Sequence, residues 1–130
     1  MARDDIHILI ADKNSKVSEF LRRELSAEGF GAAVAKDGRR LWEILEGPER
    51  TDLLILDPEI LSASGEASLA AGLFRKKPGL PILLYAFDAE NLAGQDVRQA
   101  VAVVEKEHDT EHLKKVVEKI ARRLFPDRFV

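Results

Sequence analysis

Two aspartates each end a run of aliphatic residues. Asp57 follows four large aliphatics at residues 53–56 and is followed by Pro58, and Asp12 follows the aliphatic run at residues 6–11. Short apolar runs bounded by a breaker are typical of strands that are buried on both faces. Carboxylates at neighbouring strand ends can bind a divalent cation through oxygen, and one of them can instead act as a nucleophile.

A lysine follows another strand pattern. Lys106 comes directly after residues 100–105, which are predicted to form the fifth strand. At the carboxyl edge of a parallel sheet, its ammonium would reach the crevice that holds Asp12 and Asp57. A lysine in that place can neutralise phosphoryl oxygens. The sequence has no glycine-rich phosphate loop, which argues against a nucleotide-binding enzyme.

Strands and helices alternate along the whole chain. Strands are predicted at residues 6–11, 30–36, 53–56, 81–87 and 100–105. Helices are predicted between residues 14 and 29, at 39–45, 66–76 and 88–100, and from residue 110, with a loop at 58–65. Such alternation predicts a parallel sheet covered on both faces. Five strands favour the doubly wound, flavodoxin-like α/β sandwich in the order 2-1-3-4-5, which places Asp12 beside Asp57.

Composition narrows the function further. Of the 130 residues, 45% are hydrophobic and 33% are charged, which predicts one globular domain over residues 1–130 with no output domain. The net charge of −3 predicts no nucleic-acid partner, and the absence of cysteine excludes thiolate chemistry. No apolar run approaches the roughly 18 residues of a membrane span. A cytoplasmic domain without a membrane partner is therefore expected.

The spacing of these pieces resembles the receiver domain of two-component response regulators, the CheY-like family. The matching pieces are the acid Asp12 after the first strand, the turn signals at 28–30 and 35–38, the strand and acid at 52–57, Gly65, the strand at 81–84, and Lys106 seven residues before Leu113. The resemblance covers essentially the whole chain. It rests on the order and spacing of the pieces rather than on any single one.

The resemblance implies a signalling mechanism. Asp57 would take a phosphoryl group from a histidine kinase or a phosphotransfer protein and become an acyl phosphate. Mg²⁺ would bridge the phosphoryl group, Asp12, Asp57 and the backbone carbonyl of Glu59, while Lys106 would hold another phosphoryl oxygen. The domain would not be an enzyme beyond its own phosphorylation and dephosphorylation. It would signal to a downstream protein through the 88–125 face, which could also support a homodimer.

Lys13 departs from the family pattern, which has a second acid at this position. Two acids and two lysines leave the crevice without formal net charge, so Mg²⁺ is expected to bind weakly or not at all. Three arrangements are open. Lys13 can point to solvent, or it can pair with Asp57 in place of the metal. Alternatively, Glu59 or Asp88 can supply the third carboxylate.

Further departures lie at the positions through which the family transmits phosphorylation of the site to the protein surface. Ala86 stands where the family has a Thr or Ser, with Tyr85 on the opposite face of the strand, and Val103 stands where it has an aromatic residue. Glu107 replaces a proline, so a trans peptide bond is expected before it. These changes support an alternative, a degenerate receiver that binds proteins without being phosphorylated. A flavin-binding relative of the fold is a third alternative, but its phosphate cradle is missing from these loops.

Overall fold

The computed structural model describes residues 6–62, 69–88, 90, 92, 98–106 and 110–129. The strands are β1 (His7–Ala11), β2 (Gly31–Ala35), β3 (Leu53–Leu56), β4 (Ile82–Ala86) and β5 (Ala102–Glu105). The helices are α1 (Ser15–Ala27), α2 (Gly38–Glu46), α3 (Glu59–Ser62), α4 (Leu69–Lys76) and α5 (Glu111–Leu124), followed by a 3₁₀ turn at Pro126–Arg128. None of the helices in these ranges is long and apolar enough to cross a membrane.

The five strands form one parallel sheet in the order β2-β1-β3-β4-β5. The predicted fold and strand order are therefore confirmed. Ala11 of β1 lies opposite Leu56 of β3, so Asp12 and Asp57 leave neighbouring strands at the same level. The backbone N–H of Asp57 donates to the carbonyl of Ala11 at 2.9 Å, which continues the strand pairing up to the acid itself.

The central strand β3 is buried on both faces because helices cover the sheet on both sides. Ile55 belongs to the core cluster formed with α1 and α5, and Leu54 belongs to the cluster formed with α2, α3 and α4. Alternating residues of a strand point to opposite faces, so a strand between two helix layers must be apolar at every position. This explains the unbroken aliphatic run that precedes Asp57.

The start of α1 is tied to the end of β1. Asn14 caps α1, since its side-chain oxygen accepts hydrogen bonds from the backbone N–H groups of Lys16 and Val17. The N–H of Asn14 donates to Asp12 Oδ1 at 2.9 Å. One short segment therefore both begins the helix and orients the aspartate.

The segment after β3 corrects one prediction. The predicted loop at 58–65 contains a short helix, α3, whose first N–H donates to the Asp57 side chain at 2.9 Å. Ile60 and Leu61 are buried in the core, so packing stabilises a helical turn in a stretch that has weak helical periodicity. Gly65, Glu107 and Asp109 lie outside the described residues, as do the first three residues of the predicted helix at 66–76 and most of the one at 88–100.

We expect Leu54→Ala to lower the free energy of unfolding by about 2–5 kcal/mol, because it leaves a cavity in the centre of the sheet. The matched control is Leu124→Ala at the exposed end of α5, which should change stability by about 0.5 kcal/mol or less. Urea unfolding of both variants measures the difference. Equal losses would contradict the central role of β3.

Candidate functional site

Three charged side chains meet at the carboxyl ends of β1, β3 and β5. Lys106 Nζ donates to Asp12 Oδ2 and to Asp57 Oδ2, both at 2.6 Å. The side chains of Asp12, Asp57 and Lys106 are 3%, 5% and 3% exposed, respectively. The structure thus brings together, in a buried network, the three residues that the sequence placed in one crevice.

The remaining oxygens of the two carboxylates bind backbone groups. Asp12 Oδ1 accepts from the N–H of Asn14 and Asp57 Oδ1 from the N–H of Glu59, each at 2.9 Å. All four carboxylate oxygens therefore face a hydrogen-bond donor. Hydrogen bonds to ionised groups are the strong ones in proteins, and burial strengthens them further. The network of two carboxylates and one ammonium carries a net negative charge.

Lys106 keeps its proton in this network. Burial by itself lowers the pKa of Lys106, because it removes the ammonium from water. The hydrogen bonds and negative charges of Asp12 and Asp57 outweigh burial, so the pKa of Lys106 is raised above its ordinary value. Its stabilising effect is therefore fully present at neutral pH and is lost only as the pH rises through that raised pKa.

Two aromatic rings flank the ammonium. Lys106 Nζ lies 5.4 Å from the ring centroid of Tyr85 and 5.0 Å from that of Phe87, distances at which cation–π attraction operates. Tyr85 is buried, whereas Phe87 is 68% exposed. Sequence reasoning missed the contribution of Phe87. Strand alternation offered the signal, since it places Tyr85 and Phe87 on the same side of the chain.

No family model matches the chain. It is 32% identical over 125 residues to the response regulator MprA of Mycolicibacterium vanbaalenii, covering 94% of this chain and 53% of that protein. The chain thus spans about half the length of this curated relative.

Solved structures share both the fold and part of the sequence. The response regulator TrrA of Thermotoga maritima, in complex with Mg²⁺-BeF, is 25% identical with a TM-score of 0.71, over 88% of this chain and 98% of that one. The chain is also similar to a structure of histidine kinase ThkA in complex with TrrA. The sequence identity is 26% and the TM-score is 0.69, over 88% of this chain and 97% of that one. The chain is thus a homologue of these response regulators and has a CheY-like receiver domain. A regulator from Clostridium difficile, 19% identical with a TM-score of 0.72 over 92% and 98%, shares the fold.

Two coupling positions of this receiver domain differ from the family pattern. Ala86 is buried at the end of β4 and brings no hydroxyl group to the crevice, and its carbonyl accepts the backbone N–H of Lys106 at 2.9 Å. Val103 is partly buried and packs against the core cluster formed with α2, α3 and α4. At this edge of the crevice, the end of β4 is therefore joined to Lys106 by a backbone hydrogen bond, and Ala86 supplies no side-chain hydroxyl.

Lys13 lies at the rim of the crevice. Its Nζ is 3.6 Å from Glu59 Oε2, and the two side chains are 63% and 66% exposed. Among the three arrangements left open by the sequence, this is the surface position, with Glu59 as the partner. The ammonium that contacts Asp57 belongs to Lys106.

The crevice offers fewer carboxylate ligands than the Mg²⁺ site that the family resemblance implies, because Lys13 stands in the place of the second acid. Mg²⁺ prefers octahedral oxygen coordination. Among the described residues, Asp12 and Asp57 bring buried carboxylates to this crevice, and each shares an oxygen with the Lys106 ammonium. In the part of the chain that the structure describes, no group of three His, Cys, Asp or Glu residues could hold a metal ion.

We expect Lys106→Met to lower the free energy of unfolding by about 3–5 kcal/mol at pH 7, because it leaves two buried carboxylates without a cation. Urea unfolding of the variant at pH 7 measures this loss.

The matched control is Lys114→Met. Lys114 also contacts two carboxylates, those of Glu24 and Glu111, which together raise its pKa, but this network is more open to water, with Lys114 15%, Glu24 32% and Glu111 67% exposed. Its loss should cost much less. A similar loss in both variants would argue against the buried network.

Proposed function

We propose that this receiver domain accepts a phosphoryl group on Asp57 from a histidine kinase or a phosphotransfer protein and signals by protein–protein interaction. The observation that carries the proposal is the Asp57 carboxylate at the end of β3, with the Lys106 ammonium at 2.6 Å. The similarity to TrrA, which has been solved with Mg²⁺-BeF and with a histidine kinase, supports it. We also propose that the protein acts in the cytoplasm.

The chemistry needs no general base, because the Asp57 carboxylate is already a nucleophile. One of its oxygens attacks phosphorus, and the bond from phosphorus to the donor nitrogen breaks, leaving the electron pair on the imidazole. Lys106 then moves from the Asp57 oxygen to a phosphoryl oxygen while it keeps its contact with Asp12. Phosphoryl transfer depends mainly on positioning and charge neutralisation, which this arrangement supplies.

The way in which phosphorylation of Asp57 changes the protein surface is proposed to differ from the coupling that is usual in the family. Ala86 offers no hydroxyl to follow the phosphoryl group, and Val103 is not an aromatic that could swing in response. A downstream partner on the 88–125 face, or a homodimer through it, stays a prediction. On α5, the exposed Lys115, Lys119 and Arg123 would attract an acidic partner. Action without nucleic-acid or membrane partners also stays a prediction.

Weak Mg²⁺ binding is part of the proposal. Asp12, Asp57 and the Glu59 carbonyl are the oxygen groups that the family uses, and Lys13 replaces a further carboxylate with a positive charge. Because like charges repel and one oxygen ligand is lost, affinity for the cation falls.

A second candidate function is a phosphorylation-independent interaction module. The observation that favours it is the burial of Asp57, whose side chain is 5% exposed and whose two oxygens already bind Lys106 and the N–H of Glu59. Such a module would bind its partner equally well when Asp57 is replaced by alanine.

The decisive test for phosphorylation is the intact mass of the chain after incubation with acetyl phosphate and Mg²⁺. We expect the wild type to gain one phosphoryl group and Asp57→Asn to gain none. The matched control is Asp37→Asn, since Asp37 caps α2 and asparagine caps a helix equally well. A wild type that gains no mass dependent on Asp57 would favour the interaction module.

Calorimetric titration with Mg²⁺ tests the metal proposal on the unphosphorylated chain. Lys13→Asp should raise the affinity at least about tenfold over the wild type, because it exchanges a repelling charge for an oxygen ligand. Lys16→Asp makes the same change on the exposed first turn of α1 and should leave the affinity nearly unchanged. Tight binding to the wild type would contradict the proposal.

A further inference from the structure

The ion pair between Lys13 and Glu59 is linked to both carboxylates of the crevice. Lys13 directly follows Asp12 in the chain, and Glu59 is the residue whose backbone N–H donates to Asp57 Oδ1 at 2.9 Å. The Lys13 ammonium, 3.6 Å from Glu59 Oε2, therefore stands at the rim next to the backbone that orients the phosphoacceptor. Lys106, in contrast, lies at the buried floor.

Phosphorylation of Asp57 would create a charge that Lys106 cannot balance alone. Lys106 already serves two carboxylates, and the buried network is negative before any phosphoryl group is added. An acyl phosphate at Asp57 adds further negative charge and several strong acceptor oxygens. Because Mg²⁺ is proposed to bind this crevice only weakly, a second cation is needed from the chain itself.

We propose that Lys13 supplies this second positive charge, exchanging Glu59 for a phosphoryl oxygen, so that Asp57 is phosphorylated without a divalent metal. The inference rests on the proposed function of Asp57 and adds to it the group that replaces the metal. An exposed ion pair contributes little stability, so releasing Glu59 costs little. A phosphoryl group with more negative charge than one carboxylate binds the ammonium more strongly.

The transfer balances without a metal or a proton. With acetyl phosphate as the donor, an Asp57 oxygen forms the new bond to phosphorus. The bond from phosphorus to the acetyl oxygen breaks, and its electron pair leaves with acetate. Lys106 and Lys13 contact phosphoryl oxygens, and neither lysine takes part in the bond changes.

The experiment follows the intact mass of the chelator-treated chain with acetyl phosphate, in EDTA and in Mg²⁺. We expect the wild type to be phosphorylated at comparable rates in both. In EDTA, Lys13→Gln should be about 10- to 100-fold slower, the effect of losing one charge-assisted contact. Lys13→Arg should keep most of the EDTA rate, and Glu59→Gln should raise it by releasing Lys13. The control Lys16→Gln, at an exposed lysine of α1, should match the wild type.

A further variant should make phosphorylation depend on Mg²⁺. Lys13→Asp should lose phosphorylation in EDTA and recover it in Mg²⁺, in step with its higher calorimetric affinity for the metal. Circular dichroism confirms that each variant folds, which is expected because Lys13 is exposed.

Each other outcome overturns a distinct claim. Phosphorylation of the wild type only in Mg²⁺ would overturn the metal-free inference and leave Asp57 as the phosphoacceptor. An EDTA rate that Lys13→Gln does not change would overturn the role of Lys13. A wild type that takes up no phosphoryl group in either condition would overturn both this inference and the proposed function.

Discussion

The ammonium of Lys106, held between the buried carboxylates of Asp12 and Asp57, is the interaction on which the crevice depends. Two carboxylates buried side by side are costly without a cation, and a buried lysine is equally costly without an anion. Each charge is tolerated only because the others are present. The sheet order makes this balance attainable, since it delivers the ends of β1, β3 and β5 to one edge.

This receiver domain departs from the family pattern directly after Asp12, where it has Lys13 instead of a second acid. Lys106 already lies between the two acids, and Lys13 adds a positive charge at the rim rather than a third carboxylate. The cations for phosphoryl transfer can then come from side chains. Ala86 brings no hydroxyl and Val103 no aromatic ring to the two positions that the family pattern uses to couple the site to its surface.

Much of this could be predicted from the sequence because it depends on pattern. Aliphatic runs report buried strands, and parallel strands bring Asp12 and Asp57 to one edge whatever the loops do. The pairing of Lys13 with Glu59 could not be predicted, because a long exposed side chain has several partners within reach and only coordinates choose between them. The helix α3 was missed because its stability comes from packing of Ile60 and Leu61 rather than from local periodicity.

The most direct test of the account is the pKa of Lys106, measured by NMR titration of its side-chain nitrogen. We predict a pKa above the ordinary lysine value, which is about 10.4, and a lower pKa when Asp12 is replaced by asparagine. Burial without effective partners would lower the pKa instead. A measured pKa below the ordinary value would show that the two carboxylates do not hold the ammonium, and would contradict the account.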